Sequence, residues 1–357
     1  METIRFDDFI RLNRGFDLPD YKIEKGEYPV ITSTNIKAFH KEYKVEGPMV
    51  VTGRSGSLGK VQYIEGRCWP LNTSLYVKDY KGNFPRYVYY FLQMMHLEQY
   101  NAGVGVPTLN QNHLHSLKIK IHEKKLQQKI ASILSAYDRL IENNTRRIRL
   151  LEQMAENLYK EWFVRFRFPE HENVEMVNGL PKGWKVKRYE EELNIRYGKG
   201  LSTEQLKEEG YPVFGSNGQI GFYDSYMYED PQILISCRGA SSGIVNISLP
   251  KSFITSNSLI CERTEKTESL YEYLKYYFLN NNLVQYQTGS AQPQITINNI
   301  VKLKLLVPEL KVQRSFSEKI RVIDMEIYNL QSQIQLLTRQ RDLLLPRLIS
   351  GKLEVKS

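Results

Sequence analysis

Cysteine is scarce in this chain and badly placed for pairing: the 357 residues hold three, Cys68, Cys237 and Cys261, with no Cys-x-x-Cys among them. That pattern supports neither a disulfide framework nor a zinc ribbon, and it points to a reducing, cytoplasmic compartment. Long apolar runs are missing too. None approaches the roughly 18 residues of a membrane helix, and METIRFDDF lacks the basic-then-apolar order of a secretory signal, so no membrane partner is expected. The six histidines, His40, His96, His113, His115, His122 and His171, form no His-Glu-x-x-His and no Cys/His cluster of zinc spacing. No metal site is expected, and His113 and His115 read as a surface pair beside a strand.

The familiar catalytic signatures are also absent. There is no Gly-x-Ser-x-Gly elbow, no Gly-x-Gly-x-x-Gly fingerprint and no Asn- or Asp-Pro-Pro-aromatic run of the kind amino-methyltransferases use to hold a flipped base. GRSGSLGK, Gly53 to Lys60, comes near a phosphate-cradling loop, which needs four residues between its glycines and Ser or Thr after the lysine. Here five residues separate Gly53 from Gly59, Val61 follows Lys60, and a second copy of the motif, SCRGASSG, is followed by Ile244 where the lysine would be. A nucleotide-binding loop is therefore rejected, and any chemistry on a bound partner falls to another chain.

Basic charge, by contrast, is in excess. Lys and Arg number 49 against 40 Asp and Glu, a formal net charge of +9. The resulting positive potential attracts polyanions, of which nucleic acid is the commonest in a cell.

The chain also occurs twice. Residues 1–165 return in the same order over 184–350: Tyr28-Pro29-Val30 as Tyr211-Pro212-Val213, GRSGSLG as SCRGASSG with Arg54 matched to Arg238 and Gly59 to Gly243, Ser74-Leu75 as Ser258-Leu259, and PTLNQNHLHSLKIKIHEKKLQQ from Pro107 as PQITINNIVKLKLLVPELKVQR from Pro293. This period is far longer than a solenoid repeat, so each copy is a domain together with the segment after it.

Within each copy, short Val/Ile/Tyr/Thr segments bounded by turn residues predict strands over 28–33, 48–52, 60–64, 73–77 and 116–121, and over 211–214, 232–236, 243–247, 257–261 and 301–307. One helix interrupts each set, after Pro85 and from Ser269, with an aromatic stripe facing the core. Each copy then changes character. Apolar residues in steps of three and four, Ile130, Ile133, Tyr137, Ile141, Ile148, Leu151 and Leu158, then Phe316, Ile320, Ile323, Ile327, Leu330, Ile334 and Leu337, mark the seam of two long helices. Pro346 is expected to stop the second. A stripe of this length must be covered, and the two helices pairing as an antiparallel coiled coil is the economical solution. Asn143 and Asn144 near the middle either fix register or face solvent. The fold class expected is α+β: two mixed globules, each followed by a long helix. The boundaries are 1–122 for the first globule, 123–166 for its helix, 167–308 for a linker and the second globule, and 309–350 for the second helix.

This order, with the RSGSLG and RGASSG turns, the GVGVPTL and TGSAQPQI segments, the joints HEKKLQQKIASIL and PELKVQRSFSEKI, and the lead-in NGLPKGWKVKRYEEEL, resembles the specificity subunit of type I restriction–modification systems. The resemblance covers nearly the whole chain, departing where His122 stands opposite Pro308 and where copy one opens abruptly at Met1. It implies two target recognition domains reading a split double-stranded DNA sequence, and helices that space them and dock two methyltransferase subunits, with restriction subunits joining the complex. No cofactor is expected in this chain; S-adenosylmethionine belongs to the partner. The alternatives are a self-sufficient coiled-coil DNA-binding or scaffold protein and a catalytic chain of unrecognised site.

Arginines in glycine-rich turns suit DNA contact, because small neighbours admit the duplex and guanidinium pairs with phosphate or guanine. Arg54 and Arg238 lead the candidates, with Ser55, Ser57, Lys60, Ser241 and Ser242 beside them. The plainer use of such a turn is a tight connection whose arginine pairs internally. Gly105, Thr108, Gln292 and Gln294 lie in the second candidate segments, whose plainer use is packing the helix joint. Asn35, Asn217 and Gln219 are candidates for adenine edges.

Overall fold

The structure, a computed structural model, describes residues 1–289 and 292–355; Ser290 and Ala291 of the second proline segment lie outside the described residues. The chain divides into two compact units, Met1–Arg146 with Gln331–Ser357, and Arg147–Leu330.

The first unit runs β1 (Glu2–Arg5), α1 (Phe6–Phe9), β2 (Arg11–Arg14), β3 (Lys25–Ile31), β4 (Ile36–His40), β5 (Met49–Gly53), β6 (Val61–Ile64), β7 (Trp69–Pro70), β8 (Ser74–Asp79), α2 (Pro85–Met94), α3 (Gln111–Ser116), β9 (Lys118–Ile121) and α4 (Lys124–Tyr159), whose later turns pass into the second unit. The second unit continues with a small ladder, β10 (Met176–Val177) and β11 (Leu180–Pro181), then β12 (Lys185–Arg188), α5 (Tyr189–Glu192), β13 (Leu193–Tyr197), β14 (Tyr211–Gly215), β15 (Gly218–Tyr223), β16 (Ile233–Ser236), β17 (Val245–Ile247), β18 (Phe253–Ile254), β19 (Ser258–Arg263), α6 (Tyr271–Asn280), α7 (Ile297–Ile300), β20 (Lys304–Val307) and α8 (Leu310–Ile349), whose last turns return to the first unit.

Sheet order repeats strand for strand. In the first unit β2-β8-β5-β6 and β4-β3-β7 form two sheets beside the β1–β9 ladder; in the second, β13-β19-β16-β17, β15-β14-β18 and β12–β20 take the same places. The central strands are buried on both faces, which their unbroken apolar runs, Met49-Val50-Val51 and Ile233-Leu234-Ile235, allow. Pro85 opens α2 at a position where its missing N–H costs nothing, and Tyr87, Val88, Phe91 and Leu92 recur at helical spacing to fill the core. Tyr273, Leu274, Tyr277 and Phe278 of α6 do the same in the second unit.

Several expectations are corrected. No expected strand covered the first elements of either copy: β1, α1 and β2 match β12, α5 and β13, and β1 pairs antiparallel with β9 as β12 pairs with β20. Alternating polar residues hid both edge strands. Strands expected from 116 and 301 begin at Lys118 and Lys304, because Gln111–Ser116 and Ile297–Ile300 form short helices first. His113 and His115 are on α3, not beside a strand, and are not a surface pair: His113 is exposed, whereas the half-buried His115 accepts the Leu12 N–H through Nε2 at 3.0 Å. Pro346 does not stop α8, which ends three residues later at Ile349. The proline sits in the final turn, and Leu348 and Ile349 are buried in the first unit's core.

Within each unit the long helices run in opposite senses. In the first, Asp138 meets Arg341 at 2.8 Å and the buried Asn144 donates to Gln333 Oε1 at 3.0 Å, so numbers rise along one helix as they fall along the other. In the second, Arg147 meets Glu326 at 2.6 Å, and the Phe316 ring packs against Tyr159 and Trp162. Asn143 is exposed while Asn144 is buried. The predicted seam residues are all buried or half-buried. Phe316 is fully buried, which contributes about 1.5–3 kcal/mol.

Each globule is fastened to its long helix in the same way. Gln127, buried in the first turn of α4, accepts the Phe84 N–H at 3.1 Å and donates to the His122 carbonyl at 2.8 Å. Gln313, buried in the first turn of α8, accepts the Leu270 N–H at 2.7 Å and donates to the Pro308 carbonyl at 2.7 Å. Six residues farther along, on each globule helix, Tyr90 donates to Asp138 and Tyr276 to Asp324.

Candidate nucleic-acid interface

The turn from Arg54 to Lys60 connects β5 to β6, so it joins two antiparallel strands instead of leading a strand into a helix. A phosphate-cradling loop needs that helix. Gly56 and Gly59 hold φ of +82° and +87°, a conformation open to glycine. In the second unit Gly239 and Gly243, at +77° and +87°, bend the connection between β16 and β17.

Each turn is zipped to the proline segment that precedes the short helix. In the first unit Gly56 N–H donates to the Pro107 carbonyl at 2.9 Å, Leu109 N–H donates to the Arg54 carbonyl at 2.8 Å, and Ser55 bridges Thr108. In the second, Gly239 N–H donates to the Pro293 carbonyl at 3.0 Å, Ile295 N–H donates to the Cys237 carbonyl at 3.0 Å, and Arg238 bridges Gln294. The two candidate segments of each unit therefore form one surface.

The third candidate element lies against it. Asn35 is at the β3–β4 turn, where Thr32 Oγ1 donates to its Oδ1 at 2.6 Å, and Gln62 of β6 donates to the Thr32 carbonyl at 2.9 Å. Asn217 is at the β14–β15 turn and Gln219 follows on β15; Asn246 of β17 donates to the neighbouring Ser216 carbonyl at 3.3 Å. Asn35, Asn217, Gln219, Ser57, Lys60, Gly105, Gln292 and Gln294 are exposed, while Ser55, Thr108 and Ser241 are half-buried. The first unit's segment also projects Val104, which is 98% exposed. It is braced by Asn101 Oδ1, which accepts the N–H groups of Gly103 and Thr108, each at 2.9 Å.

The hydrogen-bond register corrects the pairing of the two arginines. Gly53 stands opposite Ser74, and Ser236 opposite Ser258, so the residue after each strand is Arg54 in the first unit and Cys237 in the second. Arg238 is then the counterpart of Ser55. The cause is one extra residue between the two positive-φ glycines of the second turn, where Ala240, Ser241 and Ser242 stand against Ser57 and Leu58.

Their surroundings differ accordingly. Arg54 is half-buried, and its Nη1 donates to the Asn72 carbonyl at 3.2 Å; Asn72 in turn donates to Asp17. Arg238 is exposed, and its guanidinium has no hydrogen bond or ion pair among the described residues. Burial pushes the Cys237 thiol above its ordinary pKa, against the opposing pull of Arg238. Ser242 is corrected as well: its side chain is fully buried, and its carbonyl accepts from Gln287, so it is unavailable to a ligand. Sequence reasoning missed Glu98, whose carboxylate fills the space beside Gly59 and adds an anion to the first unit's cluster.

Among the described residues no group of three or more His, Cys, Asp or Glu side chains is placed to hold a metal, and no helix is long and apolar enough to cross a membrane.

A duplicated α+β globule presenting the same loop cluster twice, with a long helix after each copy, defines the class of protein. Residues 1–153 and 181–338 match the type I restriction modification DNA specificity domain, and the chain belongs to that family. It is similar to the type I restriction enzyme MjaIX specificity subunit of Methanocaldococcus jannaschii, 26% identical over 377 residues covering 95% of this chain and 86% of that protein. It is also similar to the MjaVIII specificity subunit of the same organism, 22% identical over 403 residues covering 100% of this chain and 93% of that protein. The crystal structure of a type I restriction–modification S subunit from M. genitalium shares the fold, with a TM-score of 0.68 at 19% identity over 99% of this chain and 96% of that one.

Proposed function

We propose that this chain is the DNA-recognition subunit of a type I restriction–modification complex and reads a bipartite target. Each unit contacts one short tract of a duplex through its zipped turn, proline segment and hairpin tip, and the long helices space the units and dock two methyltransferase subunits. Restriction subunits join the same assembly. The chain itself is non-catalytic and works in the cytoplasm. S-adenosylmethionine binds the methyltransferase, and the globule and helix boundaries near residues 122, 166 and 308 separate the two tasks.

The observation carrying this reading is the repetition of one loop cluster in both units of a chain that belongs to the specificity family. Major-groove reading calls for polar side chains on a positively charged, preorganised surface, and the +9 net charge supplies the long-range attraction. The test is co-expression with a type I methyltransferase subunit from the same genome. The pair should co-purify and protect two separated tracts of DNA. Sequence-specific protection of one continuous tract by the chain alone would favour the self-sufficient DNA-binding protein instead.

A further inference from the structure

We infer that the two units read their tracts with non-equivalent side chains: Arg238 reads a guanine edge for the second unit, whereas Arg54 braces the first unit's turn and reads no base. This rests on the recognition role proposed above and deepens it.

The backbone register places Arg238 where the first unit has Ser55, and places Arg54 where the second has Cys237. Cys237 is 1% exposed, so that position faces inward, and Arg54 accordingly turns its guanidinium back onto the Asn72 carbonyl at 3.2 Å. The Arg238 position faces outward. Its main chain is held on both sides, by the Ile295 N–H bond to Cys237 before it and the Gly239 N–H bond to Pro293 after it. The side chain starts from a fixed anchor and ends in an uncommitted fork of donors, which is what bidentate pairing with guanine O6 and N7 requires. Across the bridge, Gln294 presents a second long polar side chain next to it; the first unit has only the shorter Ser55 and Thr108. The duplicated fold therefore carries two different reading heads, and the motif in the sequence that looked most alike is where they differ.

The test uses the chain assembled with its methyltransferase subunit and a duplex library with two randomised blocks at varied spacing. Wild type, Arg238→Ala and Arg54→Lys are each put through selection and the bound sequences compared. Arg238→Ala should erase a guanine preference in one tract, weakening binding to the wild-type site by roughly 5- to 150-fold, and leave the other tract unchanged. Replacing that guanine with 7-deazaguanine should cost wild type a comparable factor and Arg238→Ala almost nothing, an arm that does not depend on the Arg54 variant. Arg54→Lys keeps a donor for Asn72 but loses the fork, and both tracts should survive. Relaxation of the first unit's tract by Arg54→Lys overturns the inference, as does an equal loss on all sequences with Arg238→Ala, the mark of a phosphate contact. Wild type selecting a single continuous motif would instead sink the bipartite reading on which the inference rests.

Discussion

Replacing Gln313 with leucine removes the fastening between the second globule and its long helix at nearly constant volume. The amide is 1% exposed and makes two bonds of 2.7 Å, accepting from Leu270 N–H where α6 begins and donating to the Pro308 carbonyl just before α8. Leucine satisfies neither group. Each buried polar group left unpaired costs about 1–3 kcal/mol, and the loss should total about 2–5 kcal/mol, because Leu270 is half-buried and regains some water. Gln127→Leu is an internal replicate, since Gln127 is fully buried and bonds Phe84 N–H and the His122 carbonyl in the first unit. Hydrogen exchange of the intact chain, read peptide by peptide, separates the two. Gln313→Leu should speed exchange of α6 more than tenfold and leave α2 unchanged; Gln127→Leu should do the reverse. A loss below about 0.5 kcal/mol, or equal acceleration in both units by either variant, would refute the reasoning that these glutamines carry the joint.

Acid should loosen the first unit before the second. Burial holds His115 and His122 below the usual histidine range. The unfolded chain then binds protons more tightly, so this contribution to stability is whole above about pH 6.5 and is lost as pH falls toward the folded values. Exchange at Leu348 and Ile349, whose turn bonds His122 at 3.0 Å, should accelerate on going from pH 7.5 to 5.5 after correction for intrinsic rates, and His122→Gln should blunt the change. Slower opening at pH 5.5 would contradict the sign. Asn144→Leu should raise the melting temperature by about 2–4 °C, since a buried polar residue in a helix seam gives up stability for register, worth here about 1 kcal/mol. A melting point lowered by as much would show that the bond to Gln333 is worth more than the apolar contact replacing it.

Much of this fold is legible in the sequence because duplication shows every element twice. The long helices are plain from steps of three and four with no internal glycine, and the central strands from apolar runs between turns. The edge ladders are not. Glu2–Arg5 and Lys185–Arg188 are short and mostly polar, and their pairing with β9 and β20 is a long-range contact that no local pattern encodes. Pro346 misled because the rule against proline holds for a helix interior, and it stands in the final turn, where burial of Leu348 and Ile349 offsets its cost. The candidate interface divides similarly. That the glycine turns and proline segments matter is visible from their recurrence, but which residue takes which place is not. A match of arginine to arginine is stronger on paper than the one-residue insertion beside it, whereas the backbone ladder follows the insertion. Ser242 had the right chemistry and sits fully buried, a fact of packing that composition does not carry.

A bipartite target leaves its mark in where methyl groups are laid down on host DNA. Sequencing modified bases in a host carrying this chain with its methyltransferase subunit should reveal one motif of two short tracts with a constant gap, lost when the chain is deleted. Methylation at an uninterrupted motif, or methylation that persists unchanged without this chain, would contradict it.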